Sequence, residues 1–184
     1  MCAENMRQLL QQLTEFDLRW LAALPTHIRI SGAESGAGKD VVLVHAGLLP
    51  GVPLAAQSNR TLTSIRSVLP DGSPCFAGAG GRTVCGATAG AGTGASAADV
   101  GAPWGALWTG PDHVIFGHDS RRRLQLHPFA TGIDTGCVFG GNLTALLLPS
   151  WNRVTVAAGR AYCCDEPNRR LLELDRRNNT PGTG

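Results

Sequence analysis

His45 and His118 each follow an apolar run, Val41-Val42-Leu43-Val44 before the first and Val114-Ile115-Phe116-Gly117 before the second. Imidazole is a common ligand for borderline divalent metals and titrates near neutral pH. Short apolar runs rich in β-branched residues read as strands covered on both faces. In open α/β sheets, ligands gather beyond the carboxyl ends of such strands, where loops approach without disturbing the core. A histidine in that place twice is what a metal site would use. Taken singly, each reads first as a satisfied core or surface histidine; the matched placement brings the metal reading level with that one. His27, His113 and His127 lack the placement and read as structural.

Other candidates fail on spacing. Gly36-Ala37-Gly38-Lys39-Asp40 resembles the end of a phosphate-binding loop. That motif requires an earlier glycine where Ala33 stands, a serine or threonine where Asp40 stands, and a helix where the strand Val41 to Val44 follows. His118, Asp119 and Ser120 are consecutive, which prevents the relay geometry of a hydrolytic triad, and no G-x-S-x-G elbow is present.

The elements that must position the histidines are partly legible. Met6 to Gln12 has good helix formers. Thr14-Glu15-Phe16-Asp17 offers an N-cap with an acid three residues later, and Leu18, Leu21 and Leu24 form an apolar stripe that Pro25 ends. His27 to Ile30 reads as a strand, then a Gly/Ser loop, then the strand Val41 to Val44. Gly72 to Gly105 is dominated by glycine, alanine, serine and threonine. It reads as a disordered insertion within one domain, because it offers too little apolar surface to offset its ordering entropy. Strands are expected at His113 to Phe116, Phe129 to Asp134 and Leu143 to Leu148. Gly140-Gly141-Asn142 signals a hairpin turn between the last two. Val154 to Val156 reads as a last strand and Arg169 to Arg177 as a short helix, in a weakly ordered extension over residues 150–184.

Three segments carry a resemblance to a known family. Val42-Leu43-Val44-His45-Ala46-Gly47 resembles the V-x-H-A-G segment of calcineurin-like metallophosphoesterases, and Gly117-His118 resembles their later G-H segment. Ile133 to Leu146 is similar to the I-D-T-G-C-x-x-G-G-x-L-T-A-L stretch that closes the domain in one branch. That branch holds diadenosine-tetraphosphatase-like enzymes, bacterial-type serine/threonine protein phosphatases and the phosphatase module of polynucleotide kinase-phosphatases. The resemblance runs from about Leu13 to Pro149, within a portion expected at residues 1–149.

It implies an α/β fold: the C-terminal half of a layered αββα sandwich, a mixed sheet with flanking helices. It implies that His45 and His118 are ligands of one metal of a pair, manganese, iron or zinc in intact relatives. Asp134 would stand beside them as a catalytic or site-shaping carboxylate; as a turn-capping Asp ahead of Thr135-Gly136 it reads equally well. Arg66 or Arg121 would contact phosphate oxygens. The implied substrate is phosphorylated, a phosphoprotein or a dinucleoside polyphosphate.

The family's earlier blocks, D-x-H, G-D-x-x-D-R and G-N-H-D/E, do not occur in the sequence. They supply the other metal's ligands, the bridging aspartate and the leaving-group acid. The chain alone is therefore expected to be inactive, a fragment of a phosphoesterase that lacks its N-terminal half. The alternatives are a degenerate non-catalytic binding or assembly domain, and a truncated gene product without a function of its own.

Composition sets the remaining bounds. Over 184 residues, 16% are charged and the net charge is +2, so no field favours nucleic acid. The longest apolar runs are too short to span a bilayer, and the N-terminus has no secretory pattern. Six cysteines without a C-x-x-C pair read as free thiols rather than a disulfide framework, which points to a cytoplasmic protein.

Overall fold

The structure, a computed structural model, describes residues 3–77, 83–85 and 101–162. Helices α1 (Ala3–Gln12) and α2 (Glu15–Ala22) come first. At α2 the expected cap is present: the Thr14 hydroxyl accepts from the Asp17 N–H, and the Asp17 carboxylate accepts from the Thr14 N–H at 2.8 Å. This reciprocal pairing satisfies donors that the first helical turn leaves open. The stripe of Leu18, Leu21 and Leu24 stays close to half exposed, and no residue of α2 is buried.

Strand β1 (His27–Ile30) is followed by a short helix α3 (Gly32–Ser35), where the sequence suggested only a loop. A Ser31–Glu34 capping box starts α3, and Gly36 ends it in the left-handed conformation. Strand β2 (Val41–Val44) leads through a loop to α4 (Asn59–Ser64) and β3 (Ile65–Val68). Then come β4 (Pro74–Ala77), β5 (Thr83–Cys85), β6 (Ala102–Pro103) and α5 (Trp104–Leu107). Strands β7 (His113–Phe116), β8 (Gln125–His127), β9 (Ala130–Gly132), β10 (Asn142–Leu147) and β11 (Asn152–Ala157) complete the order.

The main sheet has the order β1-β2-β7-β9-β8. Its three central strands run parallel, with Val44 opposite Phe116 and Phe116 opposite Gly132, while β1 and β8 close the edges antiparallel. A second, antiparallel sheet has the order β5-β4-β3-β6. The two sheets share one core: Val42, Val44, Val114, Phe116 and Ala130 from the first meet Ile65, Val68 and Phe76 from the second, with Leu62 and Trp104 among them. The chain is thus mixed α/β, with a mixed sheet and flanking helices, as expected. Among the described residues no helix is long and apolar enough to cross a membrane.

Several expectations need correction. Within the stretch 72–105, Pro74–Ala77, Thr83–Cys85 and Ala102–Pro103 are strands of the second sheet, and Trp104–Leu107 is helical. Cys75 and Phe76 are buried there, so a few large side chains in a glycine-rich background suffice when an existing sheet edge is at hand. Residues 78–82 and 86–100 lie outside the described residues. Cys75 is disulfide-bonded, against the expectation of free thiols; Cys137 is free.

The hairpin expected at Gly140-Gly141-Asn142 does not form. Gly136 and Gly140 are both left-handed, a short 3-10 turn spans Cys137–Phe139, and β10 pairs with β11 rather than β9. Strand β11 also orders the start of the extension expected to be weak; the proposed helix over 169–177 lies outside the described residues.

Candidate metal half-site

The ends of β2 and β7 are adjacent because the strands pair in parallel, and the Gly117 N–H continues the ladder by donating to the His45 carbonyl at 2.9 Å. This register brings together two histidines 73 positions apart. His45 Nε2 lies 3.2 Å from His118 Nδ1, and the ring centroids are 5.0 Å apart. One nitrogen donates to the other, and the tautomer decides the direction. His118 itself has φ +68, and the Asp119 N–H donates across it to the Gly117 carbonyl at 2.7 Å. That makes a three-residue turn in a region non-glycine residues rarely occupy.

His118 Nε2 is buried and has no hydrogen-bond partner among the described residues. Burial, followed by the positive charge of Arg66 and by His45, pushes the His118 imidazole down to about 4, with Asp119 opposing. A ring that stays neutral keeps a lone pair for a ligand. The unfolded ring, near 6.5, takes up its proton first as pH falls, so stability present above 6.5 is expected to be lost progressively toward 4. Urea melts at several pH values should show this decline. His118→Gln should flatten it, and the difference between the two proteins separates His118 from the likewise depressed His113 and His127.

Asp134 follows β9, the third parallel strand, and its Cβ would lie 3.9 Å from a Cβ placed on Gly117. Its Oδ1 accepts from the Gly136 N–H at 3.0 Å, the turn-capping arrangement. Only glycine suits position 136. Its φ is +75, and a Cβ there would lie 2.0 Å from Arg123 Nη1, whose guanidinium donates to the Thr135 carbonyl at 2.9 Å.

Arg66, on β3 of the second sheet, is 8% exposed. Burial depresses its guanidinium, Asp119 opposes that, and the charges of Arg121 and Arg122 add to the depression. Its Nε stands 3.9 Å from Asp119 Oδ1. The charge of Arg66 helps to depress the His118 imidazole, and that of Arg121 helps to depress Arg66. His113 is structural, bonded to the Thr131 hydroxyl at 2.9 Å.

Sequence reading missed Asp119, Ser67 and Arg122. Asp119 is 4% exposed, and Arg122 reaches from it to the Ser67 hydroxyl on β3 at 2.8 Å. A carboxylate directly after the histidine was the available signal, but its partner on the other sheet was invisible.

The spacing of the pair also suits a shared metal ion. Two nitrogens on one tetrahedral zinc stand about 3.3 Å apart for bonds of about 2.0–2.1 Å. The observed 3.2 Å meets that separation as well as it meets a hydrogen bond. No group of three or more histidine, cysteine, aspartate or glutamate side chains able to hold an ion occurs among the described residues. The pair fits half of one site, and the described residues form no two-cation centre. A cleft of about 310 Å³ between the Pro50–Leu54 loop and Trp108 to Asp112 shares no residue with this half-site.

Similarity to known proteins supports a relation to the calcineurin-like metallophosphoesterase superfamily. Within it, the similarity runs to tetraphosphatases of dinucleosides. The chain is 35% identical over 79 residues to the asymmetrical bis(5'-nucleosyl)-tetraphosphatase PrpE of Halalkalibacterium halodurans, covering 43% of this chain and 28% of that protein. It is 46% identical over 43 residues to the symmetrical bis(5'-nucleosyl)-tetraphosphatase of a Janthinobacterium species, covering 23% and 16%. A crystal structure provisionally assigned as a diadenosine tetraphosphatase superposes with TM-score 0.60 and 29% identity, over 84% of this chain and 60% of that one. No protein-family model matches the chain. The chain spans only about a quarter of the length of the PrpE relative.

Proposed function

We propose that this chain is the portion of a metal-dependent phosphoesterase that supplies His45 and His118 to one metal ion, and that the complete assembly hydrolyses dinucleoside polyphosphates. The observation that carries the proposal is the 3.2 Å approach of the two imidazoles at the ends of adjacent parallel strands. The names of the relatives favour the dinucleoside class over phosphoproteins. In this proposal Arg66 and Arg121 face the substrate phosphates and Asp134 shapes the loop beside the pair. Manganese, iron or zinc would occupy the site once further ligands are supplied. The exposed apolar stripe of α2 suits packing against a further portion of such an assembly.

Zinc titration of the isolated chain, followed by imidazole NMR, tests the carrying observation. Resonances of His45 and His118 should move together, and His45→Ala should abolish the response at His118. Independent responses would end the shared-ion reading.

A second reading, a non-catalytic binding domain, is favoured by the lack of a third ligand among the described residues. It predicts that no complementing fragment restores turnover. The cytosolic compartment expected from the sequence belongs to the first proposal, and the disulfide at Cys75 speaks against it. Thiol labelling of Cys75 in freshly quenched cells decides between a reduced and an oxidised state.

A further inference from the structure

We infer that Arg122 is a positioning residue for the histidine pair: by clamping Asp119 to the second sheet it holds the strained turn that aims His118 at His45. The zinc measurement below rests on the proposed function; the inference itself rests on the geometry of the turn.

Backbone at φ +68 in a non-glycine residue costs free energy and persists only where the surroundings over-determine it. The turn itself offers the single Asp119-to-Gly117 hydrogen bond across His118. What fixes it is the next side chain. The Asp119 carboxylate, almost fully buried, accepts a charge-assisted hydrogen bond from Arg122 Nη1. The same guanidinium donates from Nη1 to the Arg66 carbonyl at 3.3 Å and from Nη2 to the Ser67 hydroxyl at 2.8 Å. Ser67 is fully buried in β3, a strand of the other sheet. The Arg122 N–H also closes a turn on the Asp119 carbonyl at 3.1 Å.

One planar group therefore ties the residue after His118 to a rigid strand that does not belong to the main sheet. A fork with several donors in fixed directions suits this bridge, whereas a lysine supplies one charge and cannot span both partners in the same way. His45 needs no such device, because its carbonyl already lies in the ladder between β2 and β7.

The test uses the full chain with Arg122→Ala, Arg122→Lys and Ser67→Ala, with Arg153→Ala on β11 as the control. Imidazole NMR without metal reads the pair directly. In the wild type, His45→Ala should shift the His118 ring resonances; in the Arg122→Ala background it should no longer do so. Zinc affinity should fall about tenfold or more in Arg122→Ala, the usual size of effect for a residue that orients a ligand. Arg122→Lys and Ser67→Ala should give smaller losses, and these milder variants decide the matter if Arg122→Ala fails to fold. Lowered stability with unchanged histidine resonances and unchanged His45–His118 coupling would overturn the inference, leaving Arg122 a plain structural tie. If the wild type takes up no zinc, the proposed function fails, while the metal-free spectra still decide the role of Arg122.

Discussion

Incubated with manganese, zinc or iron, the isolated chain is expected to hydrolyse diadenosine tetraphosphate, phosphopeptide and p-nitrophenyl phosphate no faster than buffer. The catalytic advantage of a two-cation centre lies in stabilising charge on both the attacking and the leaving oxygens, which requires ions held about 3.5–4 Å apart. Two imidazoles, with no third ligand beside them among the described residues, cannot hold such a pair. Joining the N-terminal portion of a tetraphosphatase relative to this chain should restore metal-dependent turnover of the dinucleoside substrate. In that fusion His118→Ala should lower turnover by at least about a hundredfold, since even residues that only orient ligands cost about 10–100-fold. Arg66→Ala should raise KM for the same substrate if its guanidinium faces phosphate. Robust hydrolysis by the unfused chain, abolished by His45→Ala, would show that the missing blocks are not needed. An active fusion indifferent to His118→Ala would remove that histidine from the site.

The largest effect on stability is expected at Trp104. Its side chain is 2% exposed, its ring lies 4.7 Å from that of Phe116, and its indole N–H donates to the Ala46 carbonyl at 3.1 Å. It fills the space between the two sheets one residue after His45, so it supports the strand end that carries the histidine. Trp104→Ala removes one of the largest core side chains and leaves the Ala46 carbonyl without its donor. Losses of about 3–5 kcal/mol are typical for such a change, against a total of about 5–15 kcal/mol for a domain. Chemical denaturation should therefore show a much lower midpoint, or no cooperative transition. Gly47→Ala makes the converse error: φ is +155 there, and a Cβ would sit 2.2 Å from the Trp104 indole. It should destabilise by overpacking. A loss below about 1 kcal/mol in Trp104→Ala would mean that the sheets do not depend on this contact.

What could be read from the sequence was local. The runs His27–Ile30, Val41–Val44 and His113–Phe116 are strands with those bounds; the last two are covered on both faces, whereas the first is an exposed edge. The Thr14–Asp17 cap was legible because its partners are three residues apart. Strands β4 and β5 were not, since their pairing supplies what composition withheld. The hairpin signal at Gly140 and Gly141 failed for a similar reason. Glycines there serve left-handed turns and the approach of Arg123, neither of which a dipeptide pattern distinguishes from a hairpin. At the site, the approach of His45 and His118 followed from two matching strand ends. Asp119 and Arg122 stayed hidden because their shared partner lies on a different sheet.

The parallel pairing of β2 with β7 also bears on how the chain reaches its native state. Val41 sits opposite His113, so the two site-bearing strands meet only after an excursion of 72 residues, 113 less 41. Closing a flexible loop costs about 0.6 kcal/mol more for each doubling of its length. Deleting 15 residues, 86–100, from that excursion would thus change the closure term by only a few tenths of a kcal/mol. Contacts so distant in sequence slow the search for them. The histidine pair is accordingly among the last features expected to assemble, since the excursion holds Ser67 and Trp104, which support it.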